Sequence, residues 1–420
     1  MDRDDILNCI HCGLCLPVCP TYFLTSLEKD SPRGRIRLIK TVSDGNLPLT
    51  DITADSIYFC LDCRACETAC PAGVKFGELT EAFRSIIESR GYGGVFRNLL
   101  RYIILKQILI SNSRIRNLAR ILRLYQKMGG SGILNWLTKI KLFPEKLKMI
   151  ESISPAVPDT FSDNLIPEVT PVNGKYLYKV GFLSGCVMNI YYPEVNQDTV
   201  EVLEINGCKV YTPRNQVCCG SIHGHNGDFA SAKKLARRNI EIFESSGVEA
   251  IITNSAGCSS FMKKYGELFE DERDFRQKAE NFSKKVRDIT EFLTEIDFQK
   301  PTGSIDCKIT YHEPCHLVHA QGISDPPREI LLSIPDVKFV ELPESDWCCG
   351  SAGIYNITHY EESMILLERK VNNILKTGAE IVATGNPGCL IQLAYSIKKY
   401  GYPLKVYHPV SLLNRAYKGG

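Results

Sequence analysis

Two short runs of cysteine near the N-terminus constrain this chain more than any other feature. Cys9, Cys12, Cys15 and Cys19 are followed by Pro20, and Cys60, Cys63, Cys66 and Cys70 by Pro71, so C-x2-C-x2-C-x3-C-P occurs twice with one internal spacing. A cubane [4Fe-4S] cluster needs four thiolates converging on one small volume, and the first three cysteines of such a run wrap one side of it. The fourth points away, and where two runs fold together it serves the cluster of the other run. Cys9, Cys12, Cys15 and Cys70 are therefore expected to hold one cluster, and Cys60, Cys63, Cys66 and Cys19 the second. Zinc sites favour paired C-x2-C ligands and disulfide frameworks suit small secreted domains, so both match this spacing poorly.

The length of 420 residues allows two or three domains with real hydrophobic cores. Eighteen cysteines in a chain that is otherwise ordinary, 44% apolar with a formal net charge of +2, point to a reducing compartment and to metal ligation. The sequence has no run of about eighteen apolar residues, and its acidic start from Met1 to Asp5 does not suit a secretory signal. A cytoplasmic location is the expectation.

Between the cysteine runs, Ser31 and Pro32 read as the cap and first position of a short helix carrying Arg33, Arg35 and Arg37. These arginines either offset the negative charge of thiolate-bound clusters or form a solvated face. A second helix is expected from Glu78 to Ser89. From Ser89 to Pro144 the sequence has no Asp or Glu, yet it holds Arg90, Arg97, Arg101, Lys106, Arg114, Arg116, Arg120, Arg123, Lys127, Lys139 and Lys141. Its apolar residues recur at three- and four-residue steps, the pattern of amphipathic helices that pack on the protein's own core or lie against anionic lipid or an acidic partner. No nucleic-acid recognition motif accompanies the charge. Four prolines between Ser152 and Pro171 mark a linker.

The remainder reads twice. Lys179 to Cys186 matches Lys308 to Cys315, Cys218-Cys219-Gly220-Ser221 matches Cys348-Cys349-Gly350-Ser351, and Val248 to Cys258 matches Ala379 to Cys389. Repetition at more than a hundred residues implies duplicated domains. Strands such as Val180 to Leu183 and Ala250 to Thr253 alternate with helices such as Phe229 to Ser245, which implies parallel sheets with ligands at the carboxyl ends of strands. Cys186, Cys218, Cys219 and Cys258 are expected to converge in one copy, and Cys315, Cys348, Cys349 and Cys389 in the other. Cys208 and Cys307 read as small buried residues. The fold class is α+β multidomain: a two-cluster helical domain (1–90), a basic helical segment (91–150), a Pro-rich linker (151–175) and two α/β Cys-Cys-Gly domains (176–300 and 301–420) with mostly parallel sheets.

With both runs and both Cys-Cys-Gly repeats in view, the sequence resembles the iron-sulfur subunits of glycolate oxidase over essentially its whole length. The residues carrying the likeness are Cys9 to Tyr22, Pro32-Arg33-Gly34-Arg35, Cys60 to Pro71 and Cys348 to Gly353. The layout is also similar to iron-sulfur subunits of lactate-oxidising and anaerobic glycerol-3-phosphate dehydrogenases, and more distantly to the Cys-Cys-Gly subunit of heterodisulfide reductase. The resemblance implies a ferredoxin-type domain with two [4Fe-4S] clusters and an electron-transfer role. A separate FAD-binding subunit would oxidise the 2-hydroxy acid, and the electrons would pass to a quinone or another acceptor, with peripheral contact at the cytoplasmic face of the membrane. A heterodisulfide reductase-like activity is the alternative. Ser255 and Asn386 stand where those reductases carry a fifth cysteine for a noncubane cluster, which leaves four thiols per copy for a cubane, zinc or no metal. His312, His316 and His319 beside Cys315 are candidates for auxiliary ligands or proton carriers.

Overall fold

The computed structural model describes residues 6–130, 132, 134, 138, 145–172 and 176–420. The acidic start from Met1 to Asp5, and Lys139 and Lys141 of the basic segment, lie outside the described residues.

The N-terminal region is helical. Ser31 caps the Pro32–Ser43 helix by accepting a hydrogen bond from the Gly34 amide, and Pro32 occupies the first turn where its missing N–H is not needed. The helix expected from Glu78 begins two residues earlier and runs Phe76–Ser89. Leu79, Phe83 and Ile87 recur at four-residue steps along it and bury one stripe against Ile36, Ile39 and Ile57. Short helices at Pro20–Thr25 and Asp51–Tyr58 complete the layer that holds the two cysteine runs.

A helix at Gly94–Arg101, a π-helical turn at Tyr102–Ile108 and a helix at Asn112–Lys127 follow. Their cations are largely engaged within the chain. Arg97 and Arg101 pair with Glu88, Arg116 with Asp163 and Lys127 with Asp159, while Arg123 donates to the Pro158 carbonyl. Among the described residues no helix is long and apolar enough to cross a membrane. The Pro-rich stretch is more than a connector: Phe161 is buried, and β1 (Val169–Thr170) adds an antiparallel edge to the first sheet.

That sheet contains β2 (Tyr178–Phe182), β3 (Cys208–Tyr211), β4 (Ala250–Thr253) and β5 (Val286–Asp288) in the order β1-β3-β2-β4-β5, parallel apart from β1. The second sheet contains β6 (Cys307–Tyr311), β7 (Val337–Phe339), β8 (Ile381–Ala383) and β9 (Lys405–Tyr407) in the order β7-β6-β8-β9, all parallel. Leaving β1 aside, the two sheets share one topology, the signature of a duplicated unit. Parallel sheets need cover on both faces, and the first sheet takes part of its cover from the second copy. Val410 and Leu413 of the C-terminal Pro409–Tyr417 helix lie in one core with Val180, Val210 and Ile252 of the first sheet. The Ala256 amide donates to the Gly385 carbonyl (3.1 Å), and His408 Nε2 to the Asn254 carbonyl (3.0 Å).

Candidate functional site

The two cysteine runs fold with the same backbone signature. The residues on either side of the second cysteine are left-handed in both: His11 and Gly13 in the first run, Asp62 and Arg64 in the second. Each alternation bends the chain around a cavity. Gly13 is the easy member at φ +88°, and a Cβ there would meet Arg33 at 2.8 Å. Arg64 takes the same conformation with a side chain, against a cost of about 1–2 kcal/mol, and its guanidinium is held by Glu81 (2.6 Å).

Cys9, Cys12, Cys15 and Cys70 line one cavity enclosing about 450 Å³. Cys19, Cys60 and Cys63 line a neighbouring one of about 320 Å³. Cys66 borders both and stands on the wall between them. Burial pushes the Cys60, Cys63 and Cys66 thiols above their ordinary range, which favours neutral sulfur. Arg35 opposes that. It is fully buried beside this cavity, with Nε bound to the Ser56 carbonyl (2.8 Å) and Nη1 to Thr21 Oγ1 (2.9 Å). Its Nη2 has no hydrogen-bond partner among the described residues. A buried guanidinium with an unused donor and no carboxylate fits a cavity built for a negatively charged group. Of the other two arginines on this helix, Arg33 borders the first cavity but is ion-paired to Glu28, and Arg37 is exposed.

In the duplicated half, all eight cysteines expected at the sites lie at the carboxyl ends of strands. Cys186 opens the helix after β2 and Cys258 lies in the helix after β4, while Cys315 and Cys389 occupy the equivalent places after β6 and β8. In the first copy Cys186 Sγ is 3.4 Å from Cys218 Sγ, and Cys219 Sγ is 3.2 Å from Cys258 Sγ. In the second copy Cys315, Cys348, Cys349 and Cys389 form the same chain of thiol contacts. Both turns depend on a left-handed glycine, and at Gly350 (φ +85°) a Cβ would lie 2.6 Å from the Ser363 carbonyl oxygen. Cys208 and Cys307 instead begin β3 and β6, buried and away from these ends.

The three candidate histidines separate. His316 Nε2 donates to the Asp62 carbonyl (2.9 Å), and His319 contacts Thr68 (3.0 Å) and the Asp346 carbonyl (3.3 Å), so these two join the cluster-type domain to the second copy. His312 lies beside Cys349 and Cys389. Sequence reasoning missed the charged group at the same junction, where Asp62, Arg64 and Glu81 meet His225 of the first copy. Burial opposes a charge on His225, but Glu81 and Asp62 outweigh it and raise its pKa to about 9. Burial and the His225 cation together push His316 down to about 3. The available signal was the charged pair Asp62 and Arg64 inside the second run, where the first run has His11 and Gly13. Cys63 packs with Cys348, Trp347 and Tyr355, which places the second cavity directly against the thiols of the second copy. The core around the thiols of the first copy is joined by Ile110 and Ile115 of the basic segment.

Comparison with known proteins places these features in one family. Residues 5–74 match the family model described as a 4Fe-4S dicluster domain, and residues 180–263 and 309–394 each match the model of a cysteine-rich domain. Residues 96–154 match the linker region of the glycolate oxidase iron-sulfur subunit. The chain is 37% identical to a probable glycolate oxidase iron-sulfur subunit of Bacillus subtilis, covering 97% of this chain and 92% of that one. It is 32% identical to the glycolate oxidase iron-sulfur subunit of Escherichia coli, covering 94% and 91%. A lactate utilization protein A 1 of Bacillus mycoides is 34% identical but covers only 58% of this chain, against 99% of its own length.

Proposed function

Because this chain belongs to the family of glycolate oxidase iron-sulfur subunits, we propose that it is the electron-transfer subunit of a flavin-dependent 2-hydroxy-acid dehydrogenase complex, with glycolate as the acid. The observation that carries this reading is the pair of adjoining cysteine-lined cavities, one flanked by the unpaired donor of Arg35. Cys9, Cys12, Cys15 and Cys70 would hold one [4Fe-4S] cluster, and Cys19, Cys60, Cys63 and Cys66 the other. Bound clusters supply one-electron carriers. The protein's own part is to bury Cys19, Cys63 and Cys66, to hold the thiols through the left-handed turns and to balance buried negative charge. Arg35 provides that balance, and the Asp62 amide donates to Cys60 Sγ (3.3 Å).

The acid would be oxidised on a partner FAD-binding subunit, and a quinone or another acceptor would take the electrons. Full chain loaded with clusters but free of flavin should therefore leave glycolate untouched while accepting electrons from a chemical reductant. Glycolate-dependent dye reduction by the flavin-free chain would overturn the assignment.

Peripheral attachment at the cytoplasmic face of a membrane is part of the same proposal, and the arginines of the Asn112–Lys127 helix divide: Arg114 and Arg120 are exposed. Arg116 and Arg123 are turned inward. Val95, Phe96, Leu99, Leu100 and Ile103 form an exposed apolar surface next to the exposed Lys106 and Arg90, the combination that inserts into an anionic interface. Phe96→Asp combined with Leu100→Asp should abolish co-sedimentation with anionic vesicles, and unchanged co-sedimentation would remove this surface from the argument.

A further inference from the structure

The two Cys-Cys-Gly copies differ at two buried positions next to their thiols, and both differences favour a metal ion in the second copy. In the repeat, Leu183 of the first copy corresponds to His312 of the second. His312 is 1% exposed, and it forms with Cys349 and Cys389 a group whose ligand atoms all lie within 4.8 Å of one another. A carbonyl oxygen only accepts, so the 3.1 Å contact of His312 Nδ1 with the Ser345 carbonyl fixes the proton on Nδ1. Nε2 then carries the lone pair, and it is buried with the Cys349 thiol beside it and no nitrogen or oxygen partner among the described residues. This is the tautomer of a metal-ligating imidazole oriented by a backbone carbonyl.

The second difference is electrostatic. The helix following each Cys-Cys-Gly turn packs on that turn's glycine through Ala232 in the first copy and Ser363 in the second. Seven residues further along, the first copy has Asn239 and the second Lys370, both fully buried. The Lys370 ammonium donates to the Glu344 and Ser345 carbonyls, and the thiols of Cys349 and Cys348 and the carboxylates of Asp346 and Glu344 are the groups around it. A buried ammonium needs an anion. A divalent ion with three thiolates and one neutral imidazole carries −1, which Lys370 cancels.

We propose that His312, Cys349 and Cys389 bind a single zinc-class divalent ion, with one of the flanking thiols Cys315 or Cys348 as fourth ligand. The compactness of the group supports one ion over a cubane. Bonds of about 2.3 Å to sulfur and 2.0–2.1 Å to nitrogen place tetrahedral ligand atoms roughly 3.5–3.8 Å apart, within reach of the observed spacing. The first copy, with Leu183 in place of the imidazole and Asn239 in place of the ammonium, lacks this site. The site stands independently of the electron-transfer reading.

The test is elemental analysis and zinc-edge X-ray absorption on the full chain purified anaerobically, with His312→Leu importing the residue of the first copy. Wild type should contain about one zinc per chain beside the iron of its clusters, with mixed nitrogen and sulfur scatterers at the zinc edge. His312→Leu should lose that zinc while keeping the magnetic-resonance signals of both N-terminal clusters. Wild type with less than about 0.2 zinc per chain, a sulfur-only zinc shell, or full zinc retention in His312→Leu would each overturn the site. Should the variant lose its cluster signals through misfolding, the scatterers at the wild-type zinc edge decide by themselves.

Discussion

The chain contains two duplications, and they have kept different things. The N-terminal cysteine runs retain one backbone path, down to the left-handed residues at His11 and Gly13 in one and Asp62 and Arg64 in the other, and they share a wall at Cys66. The Cys-Cys-Gly copies retain one sheet order and one arrangement of four cysteines, but they have exchanged the buried side chains around the sulfur: Leu183 for His312 and Asn239 for Lys370. Their neighbours differ as well. The basic segment packs on the core of the first copy, and the second cysteine run packs against the thiols of the other. A duplicated backbone thus preserves where ligands stand, while the packing partners decide what charge and coordination the site tolerates.

The largest expected effect tests whether the N-terminal duplicates exchange ligands. Cys19→Ser should abolish the cluster whose other ligands are Cys60, Cys63 and Cys66, although Cys19 belongs to the opposite run. Magnetic resonance on the reduced protein should show one signal lost and the signal of the Cys9, Cys12 and Cys15 cluster retained. Loss of that other signal instead would mean that each run serves its own cavity.

A smaller effect separates the Cys-Cys-Gly turns. Gly220 and Gly350 are both left-handed, so replacing either by Ala costs about 1–2 kcal/mol in backbone conformation. At Gly220 the added Cβ would be 3.3 Å from the nearest atoms, a tight approach that a shift of a few tenths of an ångström relieves. At Gly350 the added atom would sit 2.6 Å from a backbone oxygen, and the helix carrying Ser363 must move. Denaturant midpoints should therefore fall further for Gly350→Ala, by on the order of 1 kcal/mol or more. Equal shifts would show that the second turn relaxes freely.

The smallest effect concerns acid. The last strands of the two sheets each lead into a helix capped by a buried titratable residue, Asp288 after β5 and His408 after β9. Burial raises Asp288 to about 6 and lowers His408 to about 4. Asp288 has the higher pKa in the folded state, so its contribution is full below the unfolded value of about 3.9 and is lost as pH rises through 6. His408 has the lower folded pKa, so its contribution is present above about 6.5 and is lost as pH falls towards 4. Between pH 7.5 and 5 the two run in opposite directions, by about 1–2 kcal/mol each. Asp288→Asn should make stability fall more steeply with acid than in wild type, and His408→Gln should make it fall less. Parallel profiles for all three proteins would contradict the opposition.

How much of this could be read beforehand follows the sequence range of each interaction. Ser31 caps its helix through an amide three residues away, and the stripe of Leu79, Phe83 and Ile87 spans two turns, so both were legible locally. The repeated strand-then-cysteine pattern likewise announced two parallel sheets with Cys186, Cys258, Cys315 and Cys389 at their carboxyl ends. For the basic segment the sequence left internal packing and an outward basic face both open, because its partners Glu88, Asp163 and Asp159 lie outside the acid-free stretch and only folding brings them back to it.

What the sequence determined by itself was therefore the set of local spacings: the two cysteine runs with their tight turns, the duplication, and the residues able to bind metal. Tertiary structure alone decided which of them act together. His225 meets Asp62 across more than 160 residues, and Cys63 packs against Cys348 across 285. The choice between His312 as a joint residue and as a ligand rests on a carbonyl at Ser345 and a lysine at position 370. Burial supplies the physical reason. A charge or lone pair acquires its role from what replaces water around it, and that replacement comes from segments distant in the chain.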